Sequence, residues 1–170
     1  MNDSPAAPPP PPNEGPSGLH RSIYLVGNKR LSIHDLLARF SEPQFQHNGI
    51  TRLSDLHLKT GEKARYRFDS ELVELPEATP LDEATLRGLL HPLLSESQIE
   101  RLEEGGVHDI DASYDWPERK LSFRINAFHD RDGLAAVVRC LPREVPPVHR
   151  VGFPNSDVWE ELVALQQGLV

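Results

Sequence analysis

The sequence predicts an α+β protein, an antiparallel sheet packed with helices, on three observations. Apolar and polar residues alternate with a period of two along 54–60, 63–68 and 120–142, each stretch bounded by turn residues. Behind the capping residues Ser32, Asp82 and Ser95, leucines and isoleucines recur at helical spacing. The alternating stretches are joined by short Gly-, Asp- and Ser-bearing turns, and turns that short can only link antiparallel neighbours.

The chain has 170 residues and a formal net charge of −8. That length suits one core, and the charge argues against a nucleic-acid or anionic-membrane surface, which needs a basic stripe. The single cysteine, Cys140, excludes an internal disulfide and is expected on the inner face of a strand, a pattern that fits a reducing cytoplasm. No apolar run approaches the roughly 20 residues that span a bilayer, and the sequence reads as soluble and cytosolic.

Residues 1–18 hold seven prolines among polar residues. They cannot bury enough apolar surface to offset ordering, so a disordered, partly polyproline tail is expected there. Order is expected from Leu19. Ser22 to Val26 forms a short strand, Gly27-Asn28 a turn, and Ser32 caps a helix carrying Ile33, Leu36, Leu37 and Phe40 on one stripe. After Pro43 and a polar run, Ile50 to Leu53 leads into a strand with Leu56 and Leu58 on one side and Asp55, His57 and Lys59 on the other. Gly61-Glu62 turns the chain into Lys63–Phe68, with Arg65 and Arg67 outward, and Asp69-Ser70 turns it again to complete a meander.

Asp82 then caps a helix with Leu86, Leu89, Leu90 and Leu93 on its buried stripe, although Gly88 inside it costs about 1 kcal/mol relative to Ala. Ser95 to Gln98 has the form of a capping box, Ile99 and Leu102 face inward, and Gly105-Gly106 ends the helix. Val107 to Tyr114 returns to strand and turns at 115–118 into a β-hairpin over Leu121–Pro142. Pairing Phe123 with Cys140, Ile125 with Val138 and Ala127 with Ala136 packs apolar on apolar, and sets Arg124 opposite Arg139. Like charges directly opposite are destabilising. Either the two arginines are splayed into water or paired with acids such as Asp109 and Asp111, or the face awaits an anion. Pro142, Pro146 and Pro147 make a stiff linker at 142–152, and 153–170 begins a further unit with a cap at Asn155–Asp157.

No self-sufficient active site is visible. The eight histidines lack the i, i+4 spacing of a zinc site, so no metal is expected. Asp109-x-Asp111-x-Ser113-x-Asp115 opens like a calcium loop, but Tyr114 stands where Gly is wanted and Lys120 where the last acid belongs. Asp55 and His57 share a strand face as an acid and base would, yet no nucleophile accompanies them, and an interface role is expected instead. There is no G-x-x-x-x-G-K-[ST] to cradle a triphosphate, so the chain alone is expected to hold no cofactor and to be catalytically inactive.

Several blocks in order resemble a known family: Ser54-Asp55-Leu56-His57-Leu58 followed by Gly61, an arginine-bearing strand ending at Phe68, Pro80-Leu81, Ile110-Asp111, Phe123 to Phe128, and Gly133 to Pro142. Over about 32–170 they resemble the N-terminal domain of the PilT-like twitching-motility ATPases of type IV pili, which belong to the secretion ATPases of type II and type IV systems. The resemblance implies a PAS-like N-terminal domain over 19–141, the linker, and from 153 the start of a RecA-like ATPase domain. It implies a parent that is a homo-hexamer closed through its C-terminal ATPase domain, runs on Mg-ATP, and works from the cytoplasm against an inner-membrane platform protein of the pilus. It also implies that Arg124, Arg131 and Arg139 contact nucleotide phosphates in the assembled ring. Departures fall in loops: Lys63-Ala64 replaces a proline pair, Asp69-Ser70 a glycine turn, and His129-Asp130 a basic or polar pair. A free-standing PAS-like binding or adaptor module is the alternative; a reading frame continuing from Val170 into a Gly-Lys-Ser or Gly-Lys-Thr loop separates the two.

Overall fold

The computed structural model describes residues 18–47, 50–104, 109–142 and the helical position 164. The proline-rich segment 1–17, Gly105-Gly106, and all of 143–170 except Ala164 lie outside the described residues. The elements run β1 Tyr24–Val26, β2 Lys29–Leu31, α1 Ile33–Ala38, β3 Gln46–His47, β4 Ile50–Thr51, β5 Leu53–Lys59, β6 Arg65–Phe68, β7 Glu71–Glu74, α2 Glu83–Leu90, α3 Glu96–Glu103, β8 Ile110–Trp116, β9 Leu121–Asp130 and β10 Gly133–Pro142. The fold is α+β. Six strands form one antiparallel sheet in the order β7-β6-β5-β10-β9-β8, with two small two-stranded ribbons, β1-β2 and β3-β4, beside it.

The sheet is two three-stranded meanders zipped together. The first is β5-β6-β7 and the second β8-β9-β10, and α2 and α3 lie between them in sequence. The seam, β5 against β10, joins residues about eighty positions apart, running from Ala135 opposite Lys59 to Arg139 opposite Asp55. The β9-β10 ladder has the register expected from apolar matching: Phe123 with Cys140, Ile125 with Val138, Ala127 with Ala136, and Arg124 with Arg139. The inner face is fully apolar. Leu56, Leu58, Phe123, Ile125 and Val138 are buried there against Leu36, Leu37 and Phe40 of the α1 region and Leu86, Leu89 and Leu90 of α2. Two tyrosines tie this core to backbone: Tyr66 donates to the Leu36 carbonyl at 2.8 Å, and Tyr24 donates to the Thr79 carbonyl at 2.8 Å while accepting from the Ala64 amide at 3.0 Å.

Each helix starts where a side chain takes over an orphan amide. Ser32 accepts from the Asp35 amide and Asp35 reaches back to the Ser32 amide at 2.8 Å, a reciprocal box in which Asp replaces the commoner Glu. Ser95 and Gln98 form the expected box, and Asp82 caps α2 by accepting from the Thr85 amide. Gly88 has a packing reason, since a Cβ there would stand 2.7 Å from Cδ1 of Ile23. The propensity lost in the helix is the condition for that close approach.

Three details differ from the expected pattern. Helix α1 ends at Ala38, and a 3-10 turn, Arg39–Ser41, carries Phe40 into the core. Strand β8 continues to Trp116, and the turn before the hairpin is a 3-10 segment, Pro117–Arg119, closed by Lys120 at φ 54°. Third, β5 has a register irregularity between Leu53 and Asp55. An extra residue in one strand flips the side chains before it to the other face. By strict alternation Leu53 would share the outer face with Asp55; with the bulge it is buried in the core. The Asp69-Ser70 turn keeps a glycine-like shape, with φ values of 46° and 75° at its two residues. Asp tolerates that left-handed region better than most residues, and Asp69 is held by the Arg52 guanidinium.

Candidate functional site

The outer face of the sheet carries the chemistry, because period-two alternation sends the polar residues of β5, β6, β9 and β10 there. One row across the strands reads Arg67 on β6, Asp55 on β5, Arg139 on β10, Arg124 on β9 and Ser113 on β8, each directly opposite the next. Asp55 is its pivot. The side chain is only 3% exposed, and both carboxylate oxygens are occupied: Nε of Arg139 donates to Oδ1 at 2.7 Å, Nε of Arg67 lies 3.3 Å from Oδ2, and Oγ of Ser54 donates to Oδ2 at 2.7 Å. Burial alone would raise the Asp55 pKa, but the hydrogen bonds from Arg139 and Ser54 and the charge of Arg139 outweigh it, and the carboxyl is held below its usual range.

The two opposed arginines therefore meet different fates. Arg139 is anchored at its Nε while its side chain remains 62% exposed. Arg124 is 65% exposed and reaches only the equally open Asp111, 60% exposed, at 3.4 Å. Arg124 also borders a shallow groove of about 660 Å³ between α3 and the edge strand β8, lined among others by Gln98, Ser113 and Leu141. Arg131 is exposed in the two-residue turn of the hairpin. Six ladder steps separate that turn from the Arg124–Arg139 pair, about 20 Å at roughly 3.3 Å per residue. The structure thus joins Arg124 with Arg139 and sets Arg131 apart.

His57 sits one step along the same face, opposite Val137 on one side and Arg65 on the other. Burial, together with Arg67, Arg139 and Arg65, holds its pKa below the usual imidazole range even though Asp55 pulls the other way. Among the described residues its buried Nε2 has no hydrogen-bond partner. Asp55 and His57 do not contact each other as an acid–base dyad, since Asp55 is committed to its two arginines.

Two members of the site are not among the residues singled out from sequence. Arg67 was legible as an outward residue, but its pairing with Asp55 was not, because a two-residue turn at Gly61-Glu62 would set Phe68 there, whereas five residues, 60–64, connect β5 to β6. Lys59 clamps the far end of the hairpin, with Nζ 2.8 Å from Asp130 and 2.7 Å from Asp132, and had no local signal because those acids lie across the β5–β10 seam.

No protein-family model matches the chain. It is 29% identical over 119 residues to the type IV pilus retraction ATPase PilT of Pseudomonas aeruginosa, covering 69% of this chain and 32% of that protein. It is 32% identical over 118 residues to an uncharacterized protein, YggR, of Escherichia coli, covering 69% and 33% respectively. Among solved structures, the pilus retraction motor PilT with bound ADP superposes with a TM-score of 0.57 at 28% identity over 77% of this chain and 35% of that one. The ATPase DotB of Legionella pneumophila shares the fold, with a TM-score of 0.52 at 24% identity over 68% of this chain and 32% of DotB. The chain spans about a third of the length of these relatives. It is homologous to PilT and carries its fold, in keeping with the N-terminal domain of a PilT-like secretion ATPase.

Proposed function

We propose that this chain is the N-terminal domain of a hexameric, Mg-ATP-driven motor that disassembles a type IV pilus or serves a related secretion machine. In this reading 19–141 is the domain, 142–152 the linker and 153–170 the start of the ATPase domain that closes the ring. The motor would act at the cytoplasmic face of the inner membrane on a platform protein; among the described residues no helix is long and apolar enough to cross a membrane. The observation that carries the reading is the coincidence of the homology with PilT and an outward arginine pair, Arg124 opposite Arg139, on the hairpin that bears the matching blocks. In the ring these guanidiniums face the nucleotide phosphates, where positive charge stabilises the transition state. Arg131, at the hairpin tip, makes a separate contact with the same neighbouring nucleotide site, and Asp55 and His57 belong to the face that meets it.

The test is kinetic. In the full-length protein, Arg124→Ala and Arg139→Ala leave the hexamer intact by sedimentation but lower ATP turnover at least about tenfold, about 1.4 kcal/mol. Turnover within about twofold of the parent for both variants, a difference of the size that surface ion pairs produce, rejects the nucleotide role.

A further inference from the structure

We propose that the groove between α3 and the edge strand β8 is a binding site for a polyproline segment, and that its occupant is Pro8–Pro12 of the same chain. The motor reading plays no part in this, since the proline run lies before the blocks that resemble the PilT-like family.

The run is tethered at the edge of the groove. The described chain begins at Gly18, and its first residues are pinned: Leu19 is buried, and its carbonyl accepts from the His34 amide at 3.3 Å. Gly18 abuts the helical side of the groove, because a Cβ there would stand 3.0 Å from Cγ of Pro92, and the next residue, Leu93, lines the groove. Between Pro12 and Gly18 lie the five residues 13–17, so Pro12 can stand up to about 20 Å from Gly18. Five prolines in polyproline II cover about 15 Å at about 3.1 Å each. The groove crosses β10, β9 and β8, about 10 Å between the outer strands at roughly 4.8 Å per step, before it meets α3. A tether this short gives an effective concentration on the order of millimolar, so even a weak contact is populated.

Run and groove are chemically complementary. A proline run has carbonyl acceptors and no N–H, and polyproline II leaves those carbonyls without internal partners. The groove supplies donors. Ser113 presents an exposed hydroxyl, Gln98 spends one amide N–H on the Asp111 carbonyl at 2.8 Å, and the 65% exposed Arg124 meets Asp111 through one of its nitrogens, which leaves further N–H groups free to donate. Leu141, 40% exposed, offers apolar surface to the pyrrolidine rings alongside Leu93 and Phe123. Proline-rich ligands are recognised by ring packing in such grooves, and their preformed helix keeps the entropy lost on binding small. The segment cannot build a core of its own, but docking asks only that its short spacer be ordered. A docked run also covers Arg124, so occupancy of the groove controls access to that guanidinium.

The test uses the 170-residue chain and its amide NMR spectrum. Pro9→Ser, Pro10→Ser and Pro11→Ser together remove the polyproline run without touching the folded part. The amides of Ser95, Gln98, Ser113 and Arg124 are expected to shift in that variant, while those of β6 and β7, at the far edge of the sheet, stay fixed. A synthetic peptide of residues 5–16 added to it binds saturably and returns the groove signals toward their parent positions, and adding Leu141→Asp weakens the peptide at least about tenfold. Groove amides that ignore the proline substitutions overturn the proposal, as does a peptide that does not saturate or that binds the Leu141→Asp chain equally well. The same signals moving instead with Val145→Ser and Val148→Ser assign the groove to 143–152 and overturn it. Shifts that depend on protein concentration overturn it too, because they place the run of a second copy in the groove. If Leu141→Asp does not fold, as its amide spectrum will show, the proline variant and the peptide decide alone.

Discussion

The two faces of the β9–β10 hairpin are built from alternate residues of the same strands, and they meet opposite physical demands. On the inner face Ile125 lies opposite Val138 and both are wholly buried; one residue along, on the outer face, Arg124 lies opposite Arg139 and both stand largely in water. The inner pair is stabilised by removal from water and by close packing. The outer pair carries a like-charge penalty that the sheet offsets through acids on the flanking strands. Only one of those acids, Asp55, is buried. Stability is thus concentrated on one face, while the other holds charge in a fixed geometry at little net gain.

The largest effect should come from the inner face. Phe123 is wholly buried, with ring centroids 5.5 Å from Phe40 and 6.3 Å from Tyr114. Phe123→Ala is expected to cost about 3–5 kcal/mol, from lost transfer energy plus the cavity left behind. A urea titration gives the number. A loss below about 1 kcal/mol would mean that the inner face is not where stability resides.

The outer face should show a smaller and pH-dependent effect through Asp55. Its carboxyl is held below the usual range despite burial, by Arg139 and Ser54. A depressed carboxylate pKa contributes stability that is present above the unfolded value, about 3.9, and is lost as pH falls through the folded value. His57 acts in a higher window. Its pKa is lowered chiefly by burial, so below about 6.5 the unfolded chain binds the proton first and stability declines. The melting temperature should therefore fall in two stages on acidification. Asp55→Asn should flatten the stage below pH 4 and His57→Gln the stage below 6.5. An unchanged acid limb in Asp55→Asn would show that the buried carboxylate is not coupled to folding.

Much of the local design was legible in the sequence. The hairpin register followed from matching Phe123, Ile125 and Ala127 with Cys140, Val138 and Ala136, and the caps at Ser32, Asp82 and Ser95 followed from residue type and spacing. The seam between β5 and β10 was not legible, because nothing near Asp55 in the sequence points to Arg139, 84 positions away. For the same reason the arginine pair could be seen as an anomaly while its resolution could not. The bulge that turns Leu53 inward was hidden too, since Ser54 carries no special turn chemistry and only the burial of Leu53 reveals it.

The smallest effect concerns Arg124. In the parent chain Arg124→Ala removes a weak pair with Asp111, whose partners are both mostly exposed and 3.4 Å apart, worth about 0–1 kcal/mol. It also relieves the opposition to Arg139, worth roughly 0.2–1 kcal/mol. The two terms have opposite sign, so the net change should be within about 1 kcal/mol. The balance shifts once Asp55 is neutralised. With Asp55→Asn the charge of Arg139 has lost its counterion, its repulsion of Arg124 grows, and Arg124→Ala should then stabilise the chain. A double-mutant cycle at low salt should give a coupling of about 0.5–1 kcal/mol between positions 55 and 124, although the two are not in direct contact, and the coupling should shrink at high salt. Equal effects of Arg124→Ala in both backgrounds would mean that the row does not act as one electrostatic unit, and that Arg124 and Arg139 are two independent surface charges.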